Sequence, residues 1–212
     1  MAVVVVDYGA GNLKSAAKAL AVAARDSGAT VVVSADPAVV GAAERVVLPG
    51  VGAFADCKAG LERIPGLIEA LTHVAIAKAR PFLGICVGMQ LMASLGIEYG
   101  EHRGLDWIKG RVVRLTPGDP RLKIPQMGWN NLRIAAPRHP AFAGLAPDAH
   151  GYFVHSYHYL AENPAEVLAT VDYGGAVVAA IGRDNLVGVQ FHPEKSQQVG
   201  LKILANFLAW AP

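Results

Sequence analysis

The sequence has few charged residues and only two cysteines among its 212 residues. Hydrophobic residues make up 53% of the chain and charged residues 17%, which excludes a mainly disordered chain because enough apolar surface can be buried to offset chain entropy. The 19 Lys and Arg residues barely exceed the 17 Asp and Glu residues, which argues against a nucleic-acid partner. Two cysteines, Cys57 and Cys86, are too few for a disulfide scaffold, so each is expected to be a buried small side chain or a reactive thiol.

Long apolar segments are also missing. No stretch approaches the roughly 20 apolar residues that cross a bilayer, so no membrane association is predicted. The valine run at 3–6 ends in Asp7 and has no basic segment before it, which argues against a signal peptide. We therefore expect a cytoplasmic protein in a reducing compartment, where free thiols survive. No internal repeat or low-complexity linker is present, which predicts a single domain over residues 1–212.

The first hundred residues alternate between short β-branched runs and Ala- and Leu-rich stretches. This alternation predicts a parallel sheet that is covered by helices on both faces. Strands are predicted at 3–6, 30–33, 45–48 and 81–85, and helices at 12–27, 64–80 and 87–94.

The second half consists mainly of short strands with turns between them, which predicts antiparallel additions to the sheet. These strands are predicted at 111–115, 131–134, 151–155, 167–171, 176–181 and 186–190, and a final helix at 196–210. The expected fold class is therefore α/β, with an open, largely parallel central sheet, helices on both faces and an antiparallel extension.

The most informative segment is the Gly-x-Cys-x-Gly pattern at 84–88, where a predicted strand meets a predicted helix. This is the cysteine form of the nucleophile elbow, in which the two glycines let neighbouring backbone approach closely. The start of the helix would favour a thiolate at Cys86, and the backbone N–H of Val87 would point at the oxyanion of a tetrahedral intermediate. A lone cysteine is otherwise usually a core residue, and Cys57, which lacks this frame, is interpreted as structural.

A nucleophilic thiol needs a base, and His192 in the Gln-Phe-His-Pro-Glu segment at 190–194 is the best candidate. It follows the predicted strand 186–190, and parallel-sheet enzymes place their chemistry at the carboxyl ends of strands. Glu194 could hold the imidazole tautomer and stabilise its charged form. Alone, this segment is equally compatible with a surface turn; together with the elbow it predicts a triad of Cys86, His192 and Glu194.

The glycine-rich turn at 49–52 follows another predicted strand. It lacks the Walker spacing and lysine of a phosphate loop, so a second oxyanion donor is the preferred interpretation and a plain tight turn the alternative. His155 and His158 could ligate a metal, but the aromatic strand around them suits packing equally well. Because no Cys-x-x-Cys or His-x-x-x-His pair occurs, we predict neither a metal nor a cofactor.

Six blocks of sequence together resemble the class I (triad type) glutamine amidotransferases and, more narrowly, the glutaminase subunits of imidazole glycerol phosphate synthases. The class resemblance lies in 84–90 and 190–196, and the narrower one in 7–13, 48–54, 127–130 and 152–157. Residues 55–63 follow this family only loosely, and His158 stands where another aromatic residue is expected.

The resemblance implies a glutaminase mechanism. Cys86 would attack the side-chain amide of glutamine, His192 would accept the thiol proton and pass a proton to the leaving ammonia, and Glu194 would orient His192. Water would then hydrolyse the γ-glutamyl thioester to glutamate. The resemblance assigns glutamine binding to Gly52, Gln90, Ser156 and Tyr157, and the oxyanion side to Val51 and Gly52, with Val87.

The resemblance also implies a partner, a separate (β/α)8-barrel cyclase that forms a heterodimer with this chain. The cyclase would combine the ammonia with the intermediate PRFAR to give imidazole glycerol phosphate and AICAR in histidine biosynthesis. The positions that match partner-facing residues are Asn12, Met127, Trp129 and Lys195. An aromatic residue on a predicted loop is typical of an interface anchor, although Trp129 could instead pack on its own domain and Lys195 could be a solvated charge.

Three other functions remain open from the sequence. The acceptor of the ammonia could be another synthetase, of the anthranilate or GMP type. The chain could be a stand-alone γ-glutamyl thiol hydrolase. It could also be a binding subunit with an inactive glutaminase fold, against which the complete triad argues.

Overall fold

The computed structural model describes residues 1–25, 27–136 and 139–212, which form a central sheet with helices and two smaller sheets around it. The helices are α1 (Leu13–Ala23), α2 (Pro37–Gly41), α3 (Phe54–Glu62), α4 (Leu67–Thr72), α5 (Val87–Gln90) and α6 (Gln197–Ala209). The strands are β1 (Ala2–Val6), β2 (Thr30–Ser34), β3 (Arg45–Gly50), β4 (Phe82–Cys86), β5 (Leu95–Gly96), β6 (His102–Arg103), β7 (Gly110–Arg114), β8 (Gln126–Asn131), β9 (Arg133–Ile134), β10 (His150–His155), β11 (Tyr157–Ala161), β12 (Val167–Asp172), β13 (Ala176–Arg183) and β14 (Leu186–Val189). Within the described residues, no helix is long and apolar enough to cross a membrane.

The central sheet has eight strands in the order β2-β1-β3-β4-β14-β13-β12-β9. Its first five strands are parallel and its last three are joined by antiparallel pairings. Every residue of β4 is buried, as expected for a strand that is covered on both faces. Helix α1 packs against α6, while α2 and α3 pack against α4. The predicted α/β fold class is confirmed.

The expectation that the strand at 186–190 belongs to the antiparallel extension is wrong. Strand β14 pairs in parallel with β4, with Val187 opposite Leu83 and Val189 opposite Ile85. All four residues of β14 are buried, because the strand lies between β4 and β13 in the interior of the sheet. This placement brings the end of β14 beside the end of β4.

Two of the predicted additions lie outside the central sheet. Strand β7, predicted at 111–115, joins β11, β5 and β6 in a separate four-stranded sheet. Strand β10, predicted at 151–155, pairs with β8 in a separate two-stranded sheet. The burial of β10 alternates along the strand, which shows that one of its faces is covered and the other is more open.

The segment 127–130, interpreted from its sequence as a loop, lies within strand β8, and the strand predicted at 131–134 is reduced to β9 at Arg133–Ile134. Strand β8 contains a glycine with a positive φ and polar side chains, so it has little intrinsic strand propensity. Its six residues are held by antiparallel pairing with β10 along its whole length.

The helices are shorter than predicted. Helix α1 ends at Ala23 instead of 27, residues 24 and 25 form a turn, and Asp26 lies outside the described residues. The helix predicted at 64–80 begins at Leu67 and continues as a π-helical turn at His73–Ala77. The helix predicted at 87–94 is the single turn α5.

Helices α2 and α3 were not predicted from the sequence. In α3, the buried positions Phe54, Cys57 and Leu61 recur at helical spacing and turn towards the core. Cys57 is fully buried, so its interpretation as a core residue agrees with the structure.

Candidate active site

Cys86 lies at a sharp turn between β4 and α5. Its φ of 55° and ψ of −113° are unusual for a residue with a side chain, and such strain is typical of functional sites. A Cβ atom on Gly88 would lie 1.8 Å from the Leu48 carbonyl oxygen, and one on Gly84 would lie 2.7 Å from the Gly88 carbonyl oxygen. Both flanking glycines are therefore required by close backbone packing, as the sequence analysis predicted.

Helix α5 contributes less to this site than expected. The sequence predicts a helix of about eight residues, whose start would favour a thiolate at Cys86, but α5 has four residues. The macrodipole of a single turn is small.

His192 lies beside Cys86 because β14 and β4 are neighbouring parallel strands. Its side chain and that of Cys86 are both almost completely buried. The His192 backbone N–H donates a hydrogen bond of 2.9 Å to the Tyr152 carbonyl oxygen. The fully buried Ser196 hydroxyl donates to the His192 carbonyl oxygen at 2.7 Å and accepts from the Tyr152 N–H at 2.9 Å. Ser196 thus fixes the turn that carries His192, a role that the sequence analysis did not assign.

Glu194 orients the imidazole ring of His192. His192 Nδ1 lies 2.8 Å from Glu194 Oε1, and the two side chains are 4% and 3% exposed. Burial lowers the pKa of His192, but the negative charges and hydrogen bonds of the ionised Cys86 sulfur and the Glu194 carboxylate outweigh burial and raise this pKa to about 9. His192 Nε2 is buried and has no hydrogen-bond partner within the described part of the chain. The ring can therefore take the proton of Cys86 at Nε2 and retain it as an imidazolium.

Most of the residues predicted for the site line one cavity of about 330 Å³, and Cys86 forms part of its wall. This volume is within the range of small-molecule sites. The predicted residues that line it are Asn12, Val51, Gly52, Cys86, Val87, Gln90, Ser156, Tyr157, His192 and Lys195. Glu194 lies behind His192, and Met127 and Trp129 are not part of the cavity wall. Asn12 and Lys195, which the sequence analysis assigned to a partner interface, therefore also face the cavity.

Gln90 uses its amide nitrogen inside the protein. Its Nε2 donates to the Tyr157 carbonyl oxygen at 3.1 Å and to Gln190 Oε1 at 3.0 Å. Because an amide nitrogen has only two hydrogens, a ligand in the cavity would contact Gln90 through its Oε1.

Two buried side chains contact the backbone carbonyl groups of the turn at 49–52. The Tyr8 hydroxyl donates to the Pro49 carbonyl oxygen at 2.8 Å, and the Cys57 thiol lies 3.3 Å from the Val51 carbonyl oxygen. The Val51 side chain is exposed, and Gly52 has a φ of 95°, which favours glycine. This turn is consequently an ordered wall of the cavity.

Glu98 and Gln190 are polar groups of the site that the sequence analysis missed. Glu98 lines the cavity, and its Oε2 accepts a hydrogen bond of 2.9 Å from the Phe54 N–H. A carboxylate here can attract the ammonium group of an amino-acid ligand. Gln190 is fully buried, with Nε2 3.6 Å from Cys86 Sγ. Glu98 belongs to no motif, whereas Gln190 stands out as a polar residue at the end of a buried strand.

Met127 and Trp129 form an apolar surface on strand β8. Met127 is 64% exposed and Trp129 is 47% exposed. The Trp129 ring also packs edge-on against the rings of His150 and Tyr152, and Lys195 Nζ lies 5.5 Å from the centre of the Tyr152 ring. Trp129 is thus held on its own domain by one part of its ring, while the rest is open to a partner.

His155 and His158 do not form a metal cluster. In the part of the chain that the structure describes, no group of three or more His, Cys, Asp and Glu side chains is placed to hold a metal ion. His155 Nδ1 lies 2.8 Å from the Tyr157 carbonyl oxygen, and burial lowers the pKa of His155 to about 4. Burial also lowers the pKa of His158, so both rings are neutral at pH 7.

Comparisons with known proteins show which family this chain resembles. The family model described as glutamine amidotransferase class-I matches residues 4–210. The imidazole glycerol phosphate synthase subunit HisH of Rhodospirillum rubrum is 60% identical over the full length of both chains, and that of Agrobacterium fabrum is 55% identical, also over the full length of both. Among solved structures, a glutamine amidotransferase gives a TM-score of 0.72 at 16% identity and covers 98% of this chain and 99% of its own. Another glutamine amidotransferase, from Thermotoga maritima, gives 0.61 at 18% identity, with 92% and 76% covered.

Proposed function

This chain belongs to the class-I glutamine amidotransferase family and, within it, to the family of HisH subunits of imidazole glycerol phosphate synthase, and from this premise we propose how its residues act. The chain is a glutamine amidotransferase that hydrolyses glutamine to glutamate and ammonia for histidine biosynthesis. The observation that supports Cys86 as its nucleophile is the strained elbow, which holds the thiol beside the His192–Glu194 pair.

The triad carries both halves of the reaction. Cys86 transfers its proton to His192 Nε2, and the thiolate attacks the carboxamide carbon of glutamine. The tetrahedral intermediate collapses as the C–N bond breaks, and the imidazolium protonates the leaving nitrogen, which departs as ammonia. His192 then takes a proton from water, and the hydroxide attacks the thioester carbon. The C–S bond breaks, glutamate leaves, and the imidazolium returns its proton to the Cys86 sulfur. Glu194 holds Nδ1–H through both steps.

The cavity wall supplies the remaining groups. The backbone N–H of Val87 and the peptide at Val51 and Gly52 stabilise the oxyanion. The substrate contacts are made by Gly52, Gln90, Ser156 and Tyr157, and the Glu98 carboxylate attracts the substrate ammonium group. These assignments are supported by the arrangement of all these residues around one cavity.

The partner in this proposal is a separate (β/α)8-barrel cyclase, which forms a heterodimer with the chain and converts PRFAR and the delivered ammonia to imidazole glycerol phosphate and AICAR. Met127 and Trp129 supply an exposed apolar surface for it, and Asn12 and Lys195 lie at the cavity rim that would face it. We also propose that residues 1–212 act as a single domain and that the setting is the cytoplasm, because the reaction needs a reduced Cys86 thiol.

The test is glutamate release from glutamine, measured for the chain alone and with a purified cyclase and PRFAR. We expect little activity alone, strong stimulation by the loaded cyclase, and loss of both in Cys86→Ala. Cys57→Ser is the matched control, because it removes the other thiol of the chain and keeps a small side chain that can donate a hydrogen bond at this position. Partner-independent turnover of γ-glutamyl peptides would contradict the proposal, and stimulation only by an anthranilate or GMP-type synthetase would assign a different acceptor.

A further inference from the structure

Gln190 is the first residue after β14, and its buried side chain contacts the reacting sulfur. Its Nε2 lies 3.6 Å from Cys86 Sγ, a distance at which an N–H group donates to sulfur. We propose that Gln190 holds the Cys86 thiolate through this hydrogen bond and fixes the position of the sulfur between its own amide and the His192 ring. This inference rests on the proposed function of the same site and adds a residue to it.

The orientation of the Gln190 amide follows from its neighbours. A backbone carbonyl can only accept hydrogen bonds, so the Gln90 atom at 3.1 Å from the Tyr157 carbonyl oxygen must be the amide nitrogen. The second hydrogen of that nitrogen then points at Gln190, which must present its oxygen at 3.0 Å. The nitrogen of Gln190 is therefore left to face Cys86. The sulfur meets a donor, and a donor stabilises a thiolate more than a thiol.

The backbone of Gln190 and the last acceptor of its hydrogen-bond chain, the Tyr157 carbonyl oxygen, are also held in place. Its backbone N–H donates to the Ala179 carbonyl oxygen of β13 at 2.8 Å. The Tyr157 carbonyl oxygen, which accepts one hydrogen bond from Gln90, accepts another from His155 Nδ1 at 2.8 Å. Because this His155 ring is neutral, its Nδ1 carries the single ring proton. A Gln190 amide that rotated would place its nitrogen against the Gln90 nitrogen in the interior, which is costly.

The titratable groups around the sulfur include Glu98, His155, Tyr157 and Lys195, which line the same cavity. His192 faces the sulfur from the turn after β14, with Glu194 behind the ring. Cys57 of α3 and Tyr8, which follows β1, approach from the other side. Burial raises the pKa of Cys57 to about 11 and also raises that of Tyr8, so both are protonated at neutral pH. Gln190 is thus a donor that carries no charge and does not itself titrate.

The experiment measures the rate of alkylation of Cys86 by iodoacetamide between pH 5 and 10 in the full chain, with peptide mass spectrometry separating Cys86 from Cys57. In Gln190→Met, which keeps the length of the side chain but has no donor, we expect the pH of half-maximal alkylation to rise by about one unit or more. A hydrogen bond to a charged group contributes about one to two pKa units. Gln190→Asn, whose amide is one methylene too short to reach the sulfur, should shift the profile in the same direction.

Asn185 provides the matched control at the opposite end of β14. Its buried amide donates to the Ala75 and Arg80 carbonyl oxygens, both at 2.7 Å. Asn185→Ala should reduce stability without moving the alkylation profile. A folded Gln190→Met or Gln190→Asn variant with the wild-type profile would overturn the proposal, and if Gln190→Met does not fold, the profile of Gln190→Asn decides. Alkylation needs neither glutamine nor cyclase, so its result is independent of whether the proposed glutaminase reaction is observed.

Discussion

The thiol of Cys57 lies 3.3 Å from the carbonyl oxygen of Val51, so a buried core residue holds the turn that is proposed to stabilise the oxyanion. Burial raises the pKa of Cys57 to about 11, so the thiol is protonated at pH 7 and acts as a donor. The Tyr8 hydroxyl holds the Pro49 carbonyl oxygen on the other side of Gly50. The peptide between Gly50 and Val51 therefore lies between two anchored carbonyl groups.

Removal of the Cys57 anchor should impair the turn. In Cys57→Ala we expect the free energy of unfolding to fall by about 1 kcal/mol, the net contribution of one buried hydrogen bond. We also expect kcat for glutamine to fall by up to about tenfold while KM changes little, because a misplaced oxyanion donor acts mainly in the transition state. Cys57→Ser should retain most of the wild-type kcat, and an equal loss in both variants would contradict a hydrogen-bonding role.

Gly88→Ala should be strongly destabilising. Its new Cβ would lie 1.8 Å from the Leu48 carbonyl oxygen, which belongs to the rigid sheet, so the backbone has to move. Overpacking of this kind costs about 1–3 kcal/mol or more, to be measured by urea unfolding. Gly41 in α2 is the control, because a Cβ there meets only Ala70 Cβ at 4.0 Å. Gly41→Ala should be neutral or stabilise the protein by about 0.5–1 kcal/mol; comparable losses in the two variants would be evidence against the packing argument.

Glu194→Gln should reduce kcat with the fold intact. The glutamine nitrogen could turn towards His192 Nδ1 and favour the tautomer with its proton on Nε2, which cannot accept the thiol proton. A loss of about 100-fold to 10,000-fold in kcat is expected for such a change. Glu62→Gln is the control, since Glu62 is an exposed carboxylate paired with Lys58 on α3. Glutaminase activity in Glu194→Gln near the wild-type value would remove Glu194 from the mechanism.

The stability of the protein should depend on pH through His192. Its pKa is raised to about 9 in the folded state, above the value of about 6.5 in an unfolded chain. The imidazolium therefore contributes its full stabilisation below pH 6.5 and loses it as the pH rises through about 9. The difference in unfolding free energy between wild type and His192→Asn should shrink over this interval.

The pKa of His139 is shifted in the opposite direction to that of His192, so its effect on stability should have the opposite pH dependence. Burial lowers its pKa, so the folded protein resists protonation of this ring. The difference in unfolding free energy between wild type and His139→Asn should fall as the pH drops through about 6.5. A difference for His192→Asn that rose with pH, or followed the His139→Asn curve, would show that His192 is not stabilised as a cation.

Trp129→Ala should weaken binding of the cyclase. The Trp129 ring is 47% exposed beside Met127, and aromatic anchors of this kind carry a large share of interface energy. We expect the Kd of the heterodimer to rise by about tenfold or more in isothermal titration. The control is Ile76→Ala, because Ile76 has a similar exposure of 44% but lies in the π-helical turn. The neighbouring Ala75 carbonyl oxygen accepts a hydrogen bond from Asn185, which precedes β14 at the end opposite to the active site. If both variants bind equally well, the partner does not use the Trp129 surface.

The triad segments, the need for two glycines beside Cys86 and the α/β class are local properties of this sequence. Each depends on residues close together in the chain: a strand followed by a turn, a glycine beside a nucleophile, or a histidine two residues before an acid. The same local reasoning was wrong for the segment 127–130. Strand β8 is held by pairing with β10, and no property of its own residues predicts this.

Local sequence patterns therefore predict the chemistry that the chain carries, whereas the packing of distant segments brings the groups of the site together. Gln90 and Gln190 are 100 positions apart, yet they share a hydrogen bond because β14 lies beside β4. Glu98 lines the cavity without belonging to any motif. Strand and turn signals arise from neighbouring residues, whereas the order of strands in a sheet depends on the packing energy of the whole chain, so these contacts became visible only in the folded molecule.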